Sequence, residues 1–156
     1  MNTEGLFRAA FDYAVQTIVR NQNPLPPTWT LINEADEITV LMTPWRDNNE
    51  KLLIEMMMKL EMRERKTIAY GIVTEAWIAK VPEGWTPGED LPLQPRKNPD
   101  RREVVLAFVT DGKTVTTRMW AIKRDWHDRV TSLELEKSSE TPDGFEGWMT
   151  KMLSSE

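Results

Sequence analysis

The sequence contains no cysteine and a single histidine, His127. The lack of cysteine excludes disulfides, thiolate nucleophiles, iron–sulfur clusters and every zinc site that needs a thiolate ligand. A single histidine also excludes sites built on a pair of histidines. An oxygen-only site for Mg²⁺ or Mn²⁺ stays possible, because carboxylates suit hard cations. The acidic residues show no ligand spacing, however, so we expect no metal and no cofactor.

Long apolar runs and phosphate-binding glycine motifs are also missing. The longest apolar stretches span only a few residues, as at 104–109 and 56–58, whereas a membrane span needs about 20. The first residues lack the basic start and apolar stretch of a secretory signal. Neither Gly-x-Gly-x-x-Gly nor Gly-x-x-x-x-Gly-Lys occurs, which excludes nucleotide binding by those two motifs. We therefore expect a soluble cytoplasmic protein with no membrane partner.

What the chain does contain is typical of one globular domain. It has 156 residues, of which 40% are hydrophobic and 29% charged, enough for a single core. The net charge is −5, which argues against a surface that neutralises phosphates throughout. The charge is uneven, since residues 96–129 carry +4 and the rest of the chain −9. Such asymmetry can indicate a charged partner but also arises on ordinary solvated surfaces.

Two segments have the apolar periodicity of helices. Residues 3–20 place apolar side chains at i, i+3 and i+4, and the helix should end before Pro24. The second helix is predicted over 48–66, with Asp47 as N-cap and Glu50 as its capping-box partner. We expect its core face to be the stripe of Leu52, Leu53, Met56, Met57 and Leu60. The run 56–58 could suit an adaptable binding surface, but we favour gap filling in the core.

The remaining regular segments are predicted to be strands, at 37–43, 67–81, 103–110, 113–122 and 130–136. Asp111-Gly112 suits a two-residue type I′ turn and makes 103–122 a β-hairpin. With Thr110 opposite Lys113, one hairpin face should be the core side and the other partly open to water. The predicted core side carries Val104, Leu106, Phe108, Val115, Met119 and Ala121. The predicted open side includes Arg118 and Trp120, and is where we expect function.

Residues 82–102 hold five of the ten prolines and are predicted to be a long loop. A short C-terminal helix is predicted from Phe145, Trp148, Met149 and Met152. The order of elements is then α-β-α-β-β-β-β-α. Consecutive strands without intervening helices indicate an antiparallel arrangement. The predicted fold class is α+β, with a sheet of about five strands packed against two main helices and the short terminal helix.

The first hypothesis for function is a non-enzymatic interaction or regulatory module that binds protein partners, its own copies included. Seven tryptophans and nine methionines exceed what a core of this size needs, and tryptophan is enriched at interface hot spots. Trp85, in the proline-rich loop, is the leading single candidate.

The second hypothesis is single-stranded nucleic-acid binding through the basic segment 96–129. Its cations would contact phosphates while Trp120 stacks on an unpaired base. Together with Trp85, the candidate partner-binding residues are Arg96, Lys97, Arg101, Arg102, Arg118, Trp120 and Arg124. The acidic remainder of the chain counts against this hypothesis.

Enzymatic use of carboxylates is a third and weaker reading, and no residue is assigned as catalytic. Glu75 is predicted to lie in mid-strand, where a buried charge would need a partner such as Arg118 or Arg102. His127 lies in a charged turn and is expected to be solvated. No serine stands in a nucleophile elbow of the Gly-x-Ser-x-Gly kind.

Overall fold

A computed structural model describes residues 3–78 and 101–142. Its helices are α1 (Thr3–Ala14), which continues into a π-helical turn (Val15–Arg20), and α2 (Asn48–Glu64). Its strands are β1 (Thr28–Asn33), β2 (Ile38–Met42), β3 (Thr67–Ile78), β4 (Arg102–Thr110), β5 (Thr114–Arg124) and β6 (Val130–Pro142). The predicted α+β class is confirmed. The predicted loop 82–102, except its last two residues, and the terminal helix beyond residue 142 lie outside the described ranges.

The strands form one antiparallel sheet in the order β2-β1-β3-β4-β5-β6. The described sheet thus has six strands rather than about five, because sequence reasoning missed β1. This strand follows three closely spaced prolines, which are typical of a turn and not of a strand. Its residues Thr28 to Ile32 are all buried, since β1 lies between β2 and β3 and has a helix over each of its faces.

The two faces of the sheet carry separate hydrophobic clusters. On one face, α1 buries Leu6, Phe7, Ala10 and Ala14 against side chains of β3, β4 and β5. On the other face, α2 buries Met58 and Met62 against Trp29, Leu31, Tyr70 and Ile72. Residues 69 and 73 of β3 join the first cluster and residues 70 and 72 the second, as the alternation of side chains along a strand requires.

Gln22 ties the end of the first helical segment to the β6 edge of the sheet. Its side-chain amide donates to the carbonyls of Val19, at 2.6 Å, and Val130, at 2.8 Å. Its side-chain oxygen accepts the Val130 N–H at 3.0 Å. These bonds join the π-helical turn to the start of β6.

The predicted hairpin is confirmed, but its register is shifted by two residues. Thr110 pairs with Val115, so the strands are joined by a longer turn than the predicted two-residue one. Asp111 Oδ1 accepts the N–H groups of Lys113, at 2.9 Å, and Thr114, at 3.0 Å, and Gly112 adopts a φ of 87°. A shift of two residues preserves which side chains share a face.

The prediction of an open hairpin face is wrong. Trp120, predicted on that face, is buried beneath α1 together with Val105, Ala107 and Val109, which alternate with the predicted core residues of the first strand. The opposite face is also well covered at Val104 and Ala121. Both faces of this hairpin therefore carry buried residues, and neither is the open functional face that was predicted.

Candidate protein interface

Five of the eleven large hydrophobic side chains that are exposed in the described residues lie on α2. These five are exposed by 51–66% and are the residues predicted to be the core face: Leu52, Leu53, Met56, Met57 and Leu60. We call this set the α2 stripe. The assignment of these residues to the core is wrong, and Met58 and Met62, at 0% and 3% exposure, take that place.

The residues on the buried side of α2 explain why this side, and not the α2 stripe, faces the sheet. Ile54, Met58 and Met62 recur every four residues and form one apolar row. This row packs on an aromatic floor in which the rings of Trp29 and Tyr70 are 5.9 Å apart. Flexible methionine side chains fill such irregular surfaces well. The row Leu52–Met56–Leu60 begins two residues before Ile54. At about 100° per residue it lies on roughly the opposite side of the helix from the buried row, and so it points away from the sheet into solvent.

Polar contacts define both ends of α2. Asp47 caps the first turn by accepting the Glu50 N–H at 2.8 Å. Glu50 reaches back to the N–H of Arg46 at 2.6 Å, one residue before the cap, and pairs with its guanidinium at 2.7 Å. At the other end Arg65 pairs with Glu61 at 2.9 Å and donates to Thr39 of β2 at 3.4 Å. The stripe is therefore presented by a capped helix.

A pocket of about 440 Å³ opens beside the first turns of α2. It is lined by Pro44, Arg46, Glu50, Leu53 and Ile54. Leu53 belongs to both the pocket and the α2 stripe, so the two are continuous. This volume can receive an apolar group of a partner, with Arg46 and Glu50 as its polar rim.

A second exposed apolar row lies on β2, at one edge of the sheet. Ile38, Val40 and Met42 alternate along the strand and are exposed by 44–59%. They lie on the α1 side of the sheet, where the Tyr13 hydroxyl contacts Met42 Sδ at 2.9 Å. This row is thus on the opposite face of the sheet from α2.

The predicted partner-binding residues that the structure describes do not form one basic patch. Trp85, Arg96 and Lys97 lie outside the described residues. Arg102 pairs with Glu136, on the α2 side of the sheet. Arg124 pairs with Glu103 at 2.7 Å, on the α1 side.

The remaining candidates are also held by neighbours. Arg118 donates to both carboxylate oxygens of Glu4, at 2.8 and 2.6 Å, and lies 4.1 Å over the Phe7 ring. The hydrogen bond from Arg118 lowers the pKa of the Glu4 carboxyl. Arg101 lies over the Trp77 ring at 5.0 Å. Trp120 is 6% exposed, so its ring cannot stack on a base without displacing α1.

Glu75 is half-buried but does not form the ion pair anticipated for it, because Arg118 and Arg102 are bound to other acids. Its carboxylate accepts the backbone N–H of Leu25 at 2.8 Å. Burial raises the pKa of Glu75, and the nearby charge of Glu103 raises it further. The carboxylate thus anchors the segment that leads into β1.

His127 lies in the turn between β5 and β6 and is exposed. Its backbone N–H donates to Asp125 Oδ1 at 2.9 Å, and its ring lies 3.4 Å from that of Trp126.

Within residues 3–78 and 101–142, no three metal-ligating side chains cluster. Neither described helix is long and apolar enough to cross a membrane.

Sequence reasoning found the α2 stripe but assigned it the wrong role. The missed signal is a second apolar row in the same helix, Ile54–Met58–Met62, which recurs every four residues. A helix with apolar rows on two opposite sides needs two partners, or complete burial.

Comparison of the chain with protein-family models, with curated proteins and with solved structures finds no match.

Proposed function

We propose that this protein is a non-enzymatic interaction module that binds protein partners through the α2 stripe. One observation carries the proposal: five large apolar side chains on one capped helix are each more than half exposed. Soluble monomers rarely expose contiguous apolar patches above a few hundred Å², and larger ones mark interaction sites.

The chemistry of the stripe suits a protein partner. Leucine and methionine offer flexible apolar contacts, and methionine-rich surfaces adapt to the shape of what binds them. Helices that present anchors at i, i+3, i+4 and i+7 are a common form of recognition between proteins. The continuous pocket at Leu53 adds a place for an anchoring side chain of the partner. A reducing compartment such as the cytoplasm suits a chain without cysteine.

Nucleic-acid binding has less support from the geometry. Arg102, Arg118 and Arg124 each pair with a carboxylate, so a phosphate would have to displace an acid in each case. The tryptophan proposed as a stacking platform, Trp120, is part of the core beneath α1.

The test of the proposal is a capture experiment with matched variants. The double variant Leu53→Glu/Met56→Glu places two charges on the α2 stripe, and Ile38→Glu/Val40→Glu places the same charges on the exposed β2 row. We expect wild-type protein and the β2 variant to retain the same partner from an extract of the source cells, and the α2 variant to lose it. Equal capture by all three proteins would refute the proposal. Circular dichroism must show that all three are equally folded.

A further inference from the structure

We infer that the partner which covers the α2 stripe is a second copy of this chain, packed with its α2 antiparallel across a two-fold axis at Met56. The inference rests on the proposed function and names the occupant of its site. Two-fold dimers are the most frequent symmetric assemblies, and their contact surface must be complementary to itself. The α2 stripe satisfies this condition in shape and in charge.

The stripe has a midpoint. Leu52, Met56 and Leu60 form its central row, with the two leucines four residues on either side of the methionine. In an antiparallel pair centred on Met56, Leu52 of one copy lies opposite Leu60 of the other, and the two Met56 side chains meet at the axis. Every member of the central row then contacts an apolar side chain.

The charges beside the row also match in this arrangement. Glu55 and Lys59 lie on one flank, at about −100° and −60° from Met56 around the helix axis. An antiparallel two-fold brings this flank against its own copy, with Glu55 about 3 Å along the axis from Lys59 of the second copy. Neither residue forms an ion pair with another residue in the described ranges. Each dimer would therefore contain two equivalent Glu55–Lys59 pairs between copies.

The size of the stripe is sufficient for a dimer. A patch of five such side chains is on the order of 500 Å², near the top of the range for the largest patch of a monomer. Covering it on both copies buries about 1,000 Å², the lower limit for a specific interface. The expected dimer is therefore reversible and depends on protein concentration.

The experiment uses disulfide trapping, for which a chain without cysteine is a clean background. Oxidised Met56→Cys should form a covalent dimer in high yield, because residue 56 meets itself at the axis. Leu52→Cys alone should not, since two copies of residue 52 lie about 12 Å apart along the helices, beyond the reach of a disulfide. A mixture of Leu52→Cys and Leu60→Cys should give the mixed dimer. Asp12→Cys, exposed on α1, measures random cross-linking.

Light scattering of the wild-type chain, without cysteine, is the second measurement. We expect a dimer whose dissociation constant rises at least about tenfold in Leu53→Glu/Met56→Glu. Glu55→Lys should weaken the dimer by about two- to fivefold, and Glu55→Lys/Lys59→Glu should restore it. Efficient trapping of Leu52→Cys alone would overturn the antiparallel geometry.

Two failures must be told apart. A wild-type chain that stays monomeric up to the order of 1 mM, with Met56→Cys trapped no faster than Asp12→Cys, overturns the second-copy inference. If capture of another protein still depends on Leu53 and Met56, the proposed function survives that result. If capture and dimerisation are both insensitive to the stripe, both proposals are wrong.

Discussion

The two helices cover opposite faces of one sheet but use their apolar residues in opposite ways. α1 buries its leucine, phenylalanine and alanine row against the sheet and presents Glu4, Arg8 and Asp12 to solvent. α2 buries two methionines and exposes five of its eight large apolar side chains. α1 is thus an ordinary amphipathic helix that closes a core. α2 closes a smaller core and leaves a second apolar surface exposed.

The difference shows that apolar periodicity identifies a face of a helix but not what that face contacts. Both helices have convincing apolar rows in the sequence. Trp29 and Tyr70 already fill the surface of the sheet beneath α2. A narrow row of flexible α2 side chains is therefore enough to cover that surface. The wider, leucine-rich row of α2 therefore stays exposed.

The largest expected effect compares one residue from each helix. Phe7→Ala should lower the free energy of unfolding by about 3–5 kcal/mol, because it leaves a cavity under α1 and removes the ring beneath Arg118. Leu53→Ala should change it by less than about 0.5 kcal/mol in the monomer. Urea unfolding at a protein concentration low enough to exclude self-association measures both. A similar loss in the two variants would mean that the α2 stripe is part of the core.

A smaller effect of opposite sign is expected beneath α2. The Tyr70 hydroxyl is buried and has no hydrogen-bond partner among the residues that the structure describes, and burial raises the pKa of Tyr70. Tyr70→Phe should therefore raise the free energy of unfolding, by about 1–3 kcal/mol. Tyr13→Phe, whose hydroxyl is near solvent, is the control and should change little. A loss of stability in Tyr70→Phe would reveal a hidden partner for the hydroxyl.

The cap of α2 should contribute about 1 kcal/mol. Asp47→Ala leaves the Glu50 N–H without its acceptor, and such losses typically destabilise by about this amount. Asn48→Ala, one residue later and exposed, should stay within about 0.5 kcal/mol of wild type. Thermal unfolding of the pair tests whether the cap holds the helix. Equal melting temperatures would show that packing of Met58 and Met62 alone suffices.

The smallest expected effect concerns pH and the α1 side of the sheet. Because the pKa of Glu75 is raised on folding, the native state holds this proton more tightly than the unfolded chain does. Its contribution to stability is therefore lost as pH rises from the ordinary value of 4.5 through the raised folded pKa. Glu75→Gln can still accept the Leu25 N–H but has no such titration. The stability of Glu75→Gln relative to wild type should thus increase with pH across this window, and a constant difference would contradict it.

Much of the fold was predictable from local chemistry. The prolines that follow the first helical segment, the Asp47 cap and the Asp111-Gly112 turn act over a few residues, and the corresponding elements are all present. β1 was missed because its identity as a strand depends on pairing with β2 and β3, not on its own pattern. The predicted hairpin register was wrong by two residues. Asp111 accepts the backbone N–H of Thr114, which lies beyond the predicted two-residue turn, and the observed turn is correspondingly longer.

The candidate site was predictable only in part. The periodicity of the sequence identified the residues of the exposed α2 row. It did not predict that these residues are exposed. The predicted arginines could not be recognised as ion-paired, since Glu4 and Arg118 are 114 residues apart in the chain.

The sequence by itself determined the α+β class, both helices, the hairpin and the absence of thiol and paired-histidine chemistry, because these depend on residue type and short-range spacing. Only the tertiary structure decided which side of α2 meets the sheet and which hairpin face lies under α1. Burial depends on what other elements already occupy the surface, and that is settled by contacts between residues far apart in the chain. In the part of the chain that the structure describes, those contacts leave the α2 stripe and the β2 row uncovered.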